Sequence, residues 1–230
     1  MALKLDLYQP DGDRVAERPV LIFVHGGGFW TGNKSDGTDL ATAFARRGFV
    51  TASIGYRLLA TGPCAPMWPA QCTTAATAAQ HDTQAAVRWL RAKADFLKID
   101  PDRIAMAGES AGAKATLLVA WRPDDPGASG NSGQPSRIQA AVSIAGGYPS
   151  NGYISAGDAP AFFFHGSEDS VVPPSWAESN VSAMLSRGLT AGLRTFEGAD
   201  HYLSSPFRST IHEQTSYFLY YLMDLARAER

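Results

Sequence analysis

Residues 108–112 read GESAG, preceded by the apolar run RIAMA and running on into AGAKATLLVA. The run on the left has the continuity of a short buried strand. The run on the right has the alanine and leucine content of a helix, so Ser110 falls at a strand-to-helix corner. Strand and helix approach closely at such a corner, and Gly108 and Gly112 lack the Cβ atoms that would collide there. The serine is forced into strained backbone geometry. Its hydroxyl is left exposed above the sheet at a helix N-terminus, where the dipole favours an oxyanion.

The rest of the chain repeats the same alternation. Strands are expected at 3–8, 19–24, 49–54, 103–108, 138–145, 160–165 and 191–196, and helices at 38–47, 80–96, 111–120, 174–186 and 208–227. Strands alternating with helices imply βαβ units and a mostly parallel sheet with helices on both faces. PVLIFV and AFFF are continuously apolar, as central strands buried on both faces should be. The 230 residues are read as a single α/β domain, 1–230, without a large cap.

Lysine and arginine total 20 and aspartate and glutamate 22, for a formal net charge of −2. The charges are spread along the chain, with no basic block for phosphates or acidic lipid, so neither nucleic acid nor a membrane is an expected partner. MALKLDLYQP alternates like a strand and lacks the apolar core of a secretory leader. Cys64 and Cys72 flank APMWPAQ and are close enough to bridge a loop. Such a pair suggests a disulfide and an oxidising compartment, although two free thiols in a cytosolic protein are the alternative. The expectation is a secreted or periplasmic protein whose leader is absent from this chain, and a cytoplasmic one otherwise. Neither Cys-x-x-Cys nor a histidine pair at helical spacing occurs, and no metal or cofactor is expected.

Open parallel sheets collect their active sites at the carboxyl ends of the strands. Four chemically loaded segments fall at that edge: HGGGFW, GESAG, HGSEDS and GADHYL. A serine hydroxyl is a weak nucleophile and needs a base within hydrogen-bond reach, held in turn by a third group. His201 follows the last strand and can fold back over Ser110. Asp169 follows the sixth strand by a short turn and is the expected acid, with Glu168 and Asp200 as rivals. His25 precedes Ser110 and is expected to hold the glycine loop, and His165 to do similar structural work. His81, read as beginning a helix, and His212, within one, are expected to be solvated or core residues.

Tetrahedral intermediates also need hydrogen-bond donors for their negative oxygen. The N–H groups of Gly27, Gly28 and Ala111 are the candidates. Phe29, Trp30, Trp68 and Tyr202, with Met67, are candidate walls of a substrate site, with simple packing as the other role for Trp30 and Trp68. Only GGYPSNGYISAGDAP joins strand 138–145 to strand 160–165, too little for a helical lid.

With these segments in hand, the chain resembles the α/β-hydrolases. More narrowly it resembles carboxylesterases carrying HGGG and GESAG, including hormone-sensitive-lipase-like and feruloyl or acetyl-xylan esterase types. The resemblance runs from about residue 18 to the C-terminus and includes SIGYRL, HDTQAAVRWLRAKADFLKIDPDRIAMAGESAGA and APAFFFHGSEDSVVP. It implies a triad of Ser110, Asp169 and His201 and an oxyanion hole of Gly27, Gly28 and Ala111. Arg57 and Asp82 sit where the family keeps polar residues, with a scaffold salt bridge as their expected role. The activity it implies is hydrolysis of carboxylic esters through an acyl-enzyme, and the missing lid adds an expected preference for short-chain, aryl or saccharide-linked esters, free or attached to a polysaccharide. Amide or formamide hydrolysis by the same machinery, and a binding protein on the same fold, are the alternatives. Oligomeric state is left open.

Overall fold

The computed structural model describes residues 3–12, 15–62, 64, 66–128 and 130–225. Its strands are β1 (Leu5–Tyr8), β2 (Arg18–Val24), β3 (Val50–Ile54), β4 (Ile99–Glu109), β5 (Ala140–Ile144), β6 (Ala161–Gly166) and β7 (Ala191–Phe196). Its helices are α1 (Thr38–Ala45), α2 (Ala70–Ala92), the single turn α3 (Ala94–Leu97), α4 (Ala111–Trp121), α5 (Pro174–Ser186) and α6 (Arg208–Leu222). The strands form one sheet in the order β1-β3-β2-β4-β5-β6-β7. Only the β1–β3 pair is antiparallel.

The apolar run of β2 is buried on both faces, and its side chains alternate between two cores with the period of a strand. Val20, Ile22 and Val24 pack with α2, α4 and α5, whereas Leu21 and Phe23 pack with Phe44 of α1 and Ile211 and Leu219 of α6. All residues of α4 are buried, which explains why its sequence shows no polar face.

After β2 the chain pairs β3 on one side, then returns to pair β4 on the other. The loops leaving β2 and β4 therefore diverge at their carboxyl ends, and a crevice opens between them. HGGGFW and GESAG are those two loops.

Several boundaries differ from expectation. Helix α2 starts at Ala70, ten residues before the expected start, so His81 lies in mid-helix instead of opening it. AQCTTAATAAQ carries no large apolar residue, yet Cys72, Ala75, Ala76 and Ala79 make a buried stripe, and alanine is the strongest helix former. The same helix ends at Ala92 and is followed by α3, whose C-cap Lys98 is left-handed at φ 54°. Strand β4 begins at Ile99 because Arg18 pairs with Ile99 before a register shift. The last helix ends at Leu222, not at 227; residues 226 and 227 lie outside the described residues.

Cys64 and Cys72 are bridged, with Cα atoms 5.5 Å apart, which ties the loop after β3 to the first turn of α2. Arg57 Nε and the Arg57 backbone N–H both donate to Asp82 Oδ2 at 2.8 Å, fixing the start of that loop to the same helix. Among the described residues no helix is long and apolar enough to cross a membrane.

Candidate active site

Ser110 sits at the end of β4 with φ 54° and ψ −113°, a strained conformation for a residue with a side chain. The corner is held from both sides. A Cβ on Gly108 would lie 2.3 Å from Gly112 O, and one on Gly112 would lie 2.1 Å from Val24 O, so glycine is required at both by the close approach of α4 to β4 and β2. The Ser110 N–H donates to Ile144 O at 2.8 Å, so the elbow is also pinned to β5.

Ser110 Oγ lies 2.9 Å from His201 Nε2, and His201 Nδ1 lies 2.8 Å from Asp169 Oδ2. A carboxylate only accepts, so the proton of neutral His201 sits on Nδ1 and Nε2 faces the serine hydroxyl as acceptor. Of the three acids weighed from sequence, Asp169 is the one joined to His201 through the ring. Asp200 instead accepts from the backbone N–H and hydroxyl of Ser170, both at 2.9 Å, and so ties the histidine loop to the acid loop. Glu168 is exposed.

Asp169 accepts three hydrogen bonds and shares a fourth N–H, that of His165, with the carbonyl of Val172. Oδ2 takes one from His201 and approaches His165 Nε2 at 3.1 Å, while Oδ1 takes the N–H groups of Val171 at 2.9 Å and Val172 at 2.7 Å. Burial alone would raise its pKa, but the hydrogen bonds from His165, His201 and Val172 outweigh it and hold the carboxyl well below the usual carboxylate range. His165 Nε2 must carry a proton, because it also faces the carbonyl of Val172 at 3.0 Å.

The glycine loop is built from the other side of the crevice. Gly27 and Gly28 have φ of 100° and 63°, and at Gly27 a Cβ would meet Thr31 O at 2.2 Å. The Gly27 carbonyl accepts from the N–H groups of Trp30 and Thr31, which closes the loop into a tight turn. His25 donates Nδ1–H to Gly26 O at 2.7 Å and stacks on Tyr56, whose hydroxyl donates to His25 O at 2.9 Å. Across the crevice, Ala111 is the first residue of α4, where backbone N–H groups have no partner within the helix.

A cavity of about 270 Å³ adjoins Ser110, with Gly27, Gly28 and Ala111 among its lining residues. Trp30 and Tyr202 also line it, and both are largely exposed at its rim. Phe29 lines it from within, fully buried at φ 65°. The expected wall residue Trp68 does not line this cavity. It is the hub of an aromatic cluster, edge-on to Phe29, Tyr148 and Trp176, with its indole N–H donating to Thr73 at 2.9 Å. Met67 is 80% exposed and also stands apart from the lining. The segment between β5 and β6 contains no helix, which leaves the mouth uncovered.

Among the lining residues without an expected role, three stand out. Glu109, between Gly108 and Ser110, has its pKa raised by burial, opposed by a hydrogen bond from Ser204 and the charge of His201. Val172 lines the cavity while its N–H holds Asp169. Lys114 is 2% exposed, and burial pulls its ammonium down to about 7 although the Asp169 carboxylate favours the charge. Its signal in the sequence was a single cation inside an otherwise apolar helix, four residues after Ser110 and so on the same face.

A serine at a strand-to-helix elbow, a histidine after the last strand and a mostly parallel seven-stranded sheet define an α/β-hydrolase. The chain belongs to the BD-FAE family, whose model matches residues 5–148. Over 147 residues it is 33% identical to the "Probable carboxylic ester hydrolase LipM" of Mycobacterium tuberculosis, covering 63% of this chain and 31% of that one. Over 122 residues it is 34% identical to phenmedipham hydrolase of Pseudarthrobacter oxydans, covering 53% and 23%. The chain thus spans about a third or less of the length of these curated relatives. A solved esterase of Thermogutta terrifontis with propionate bound superposes with a TM-score of 0.81 at 25% identity, over 95% of this chain and 89% of the other.

Proposed function

We propose that this protein is a serine carboxylic-ester hydrolase with Ser110 as nucleophile, His201 as general base and acid, and Asp169 as the group that fixes the histidine tautomer. The observation that carries this reading is the continuous hydrogen-bonded chain from Ser110 Oγ through His201 to Asp169, at 2.9 and 2.8 Å. The esterase names of the relatives and of the solved neighbour support the same reaction class.

In this mechanism His201 Nε2 takes the serine proton as Oγ attacks the ester carbonyl. The imidazolium that forms is stabilised by Asp169, which is already ionised. The N–H groups of Ala111, Gly27 and Gly28 receive the negative oxygen of the tetrahedral intermediate. Collapse expels the alcohol, which leaves with the proton from His201, and the acyl group stays on Ser110. Water then enters through the open mouth, gives its proton to His201 and releases the acid.

The small cavity and its uncovered mouth favour short acyl chains, while the exposed rings of Trp30 and Tyr202 suit aryl or saccharide esters, free or linked to a polymer. A long alkyl chain would stay partly in water and gain less from burial. The disulfide favours an oxidising compartment, secreted or periplasmic. Measuring kcat/KM from acetate to palmitate esters, with methyl ferulate, an acetylated xylan and an aryl formamide in parallel, tests this reading. It predicts a maximum at two to four acyl carbons, a number on the order set by so small a cavity. A maximum at long chains or on the formamide would contradict it.

A further inference from the structure

Lys114 is buried in the wall of the cavity beside Ser110, in a helix that is otherwise apolar. A buried ammonium is costly unless it is paired. Among the described residues its Nζ has no hydrogen-bond acceptor and no ion pair. It lies over the faces of Trp68 at 5.9 Å and Trp176 at 5.6 Å. Ring faces attract a cation but accept no conventional hydrogen bond, so three N–H donors are left for whatever enters the cavity. Asp169, the acid whose charge acts on Lys114, is committed to His165, His201, Val171 and Val172.

We propose that Lys114 is a specificity-determining residue that binds an anionic oxygen at the far end of a short acyl group, so that the preferred substrates include monoesters of short dicarboxylic acids. The proposal rests on the ester-hydrolase reading of the same site. The apolar part of such an acyl chain lies against Phe29 and Val172, which share the cavity with Lys114. Its terminal carboxylate supplies the acceptor that the ammonium lacks and restores the charged form that burial disfavours. The two tryptophans hold the amine in place without competing for its protons.

The test compares monomethyl succinate, glutarate and adipate, each against the methyl ester of the unbranched monocarboxylic acid with the same carbon number. Acid release is followed at constant pH for the wild type and for Lys114→Met, which keeps an unbranched side chain one atom shorter and removes the charge. The wild type should favour at least one monoester over its neutral partner. In Lys114→Met that ratio of kcat/KM should fall by about tenfold to a hundredfold, as expected for a lost charge-assisted hydrogen bond. Should the variant fail to fold, inhibition of neutral-ester hydrolysis in the wild type gives the second readout: the free dicarboxylate should inhibit more strongly than the monocarboxylate of equal length. Neutral-ester turnover with no monoester preference, an unchanged ratio in the variant, or equal inhibition would overturn the role of Lys114 alone. Inertness toward every ester, with no labelling of Ser110 by a fluorophosphonate, would overturn the ester-hydrolase reading and this proposal with it.

Discussion

His165 Nε2 lies 3.1 Å from Asp169 Oδ2, the same oxygen that His201 Nδ1 approaches at 2.8 Å. The acid therefore meets two imidazoles, one facing Ser110 and one buried at the end of β6. On the proposed mechanism, His165 acts through Asp169 as a positioning residue. Replacing it with Phe should lower kcat by about tenfold to a hundredfold, the effect of losing one hydrogen bond to a charged group, with little change in KM. His165→Gln, which keeps an N–H donor near the position of Nε2, should recover part of that loss. A Phe variant with wild-type kcat would show that His165 only packs.

The three acids rank by their bonds. Asp169→Asn should reduce kcat by roughly 10⁴-fold, because an amide in that place favours the wrong histidine tautomer. Asp200→Asn should cost far less, since it loosens only the tie to Ser170, and Glu168→Gln should be close to wild type. Parallel kinetics on the three variants settle the order, and Asp200→Asn emerging as the worst would overturn the assignment of the acid.

Acid should weaken the fold through its buried histidines. Burial lowers the pKa of His212 below its free value of about 6.5, so the unfolded chain binds the proton first. The stability that comes from keeping His212 neutral is fully present above that free value and is lost as pH falls through the lowered one. Melting temperature should therefore drop between pH 7 and 5, and His212→Phe, which preserves the edge contact to Phe44, should flatten that drop. An equally steep drop in the variant would place the titration elsewhere. Asp169 acts in a lower window: its contribution is present above about 4 and fades as pH falls through its depressed value.

The Cys64–Cys72 bridge closes a short loop beside the cavity, which Cys64 helps to line. On the chain-entropy model, removing it should cost about 2–3 kcal/mol. Denaturant unfolding of Cys64→Ser/Cys72→Ser against wild type measures this. Two alkylated thiols in freshly purified, unreduced protein would remove both the bridge and the argument for an oxidising compartment.

The corner at GESAG was legible because its glycines, its apolar strand and its alanine-rich helix agree with one another. So were α5 and β7, whose expected bounds coincide with the observed ones. The start of α2 was hidden because its buried stripe is made of alanine and cysteine, which carry weak hydrophobic contrast against the threonines beside them. Trp68 shows a different limit. Its position within the disulfide loop suggested a place over Ser110, but the ring turns into a cluster with Phe29, Tyr148 and Trp176, an orientation that depends on residues distant in sequence. The second imidazole on Asp169 was equally hidden, because the turn that brings His165 and Asp169 together only exists once β6 is in the sheet.

The most direct test of the central claim is the rate of Ser110→Ala on a short-chain 4-nitrophenyl ester, with folding checked by circular dichroism. The account predicts a folded protein whose kcat/KM has fallen by about 10⁴-fold or more, because the nucleophile that carries the acyl group is gone. A folded alanine variant that keeps a tenth of the wild-type rate would contradict it.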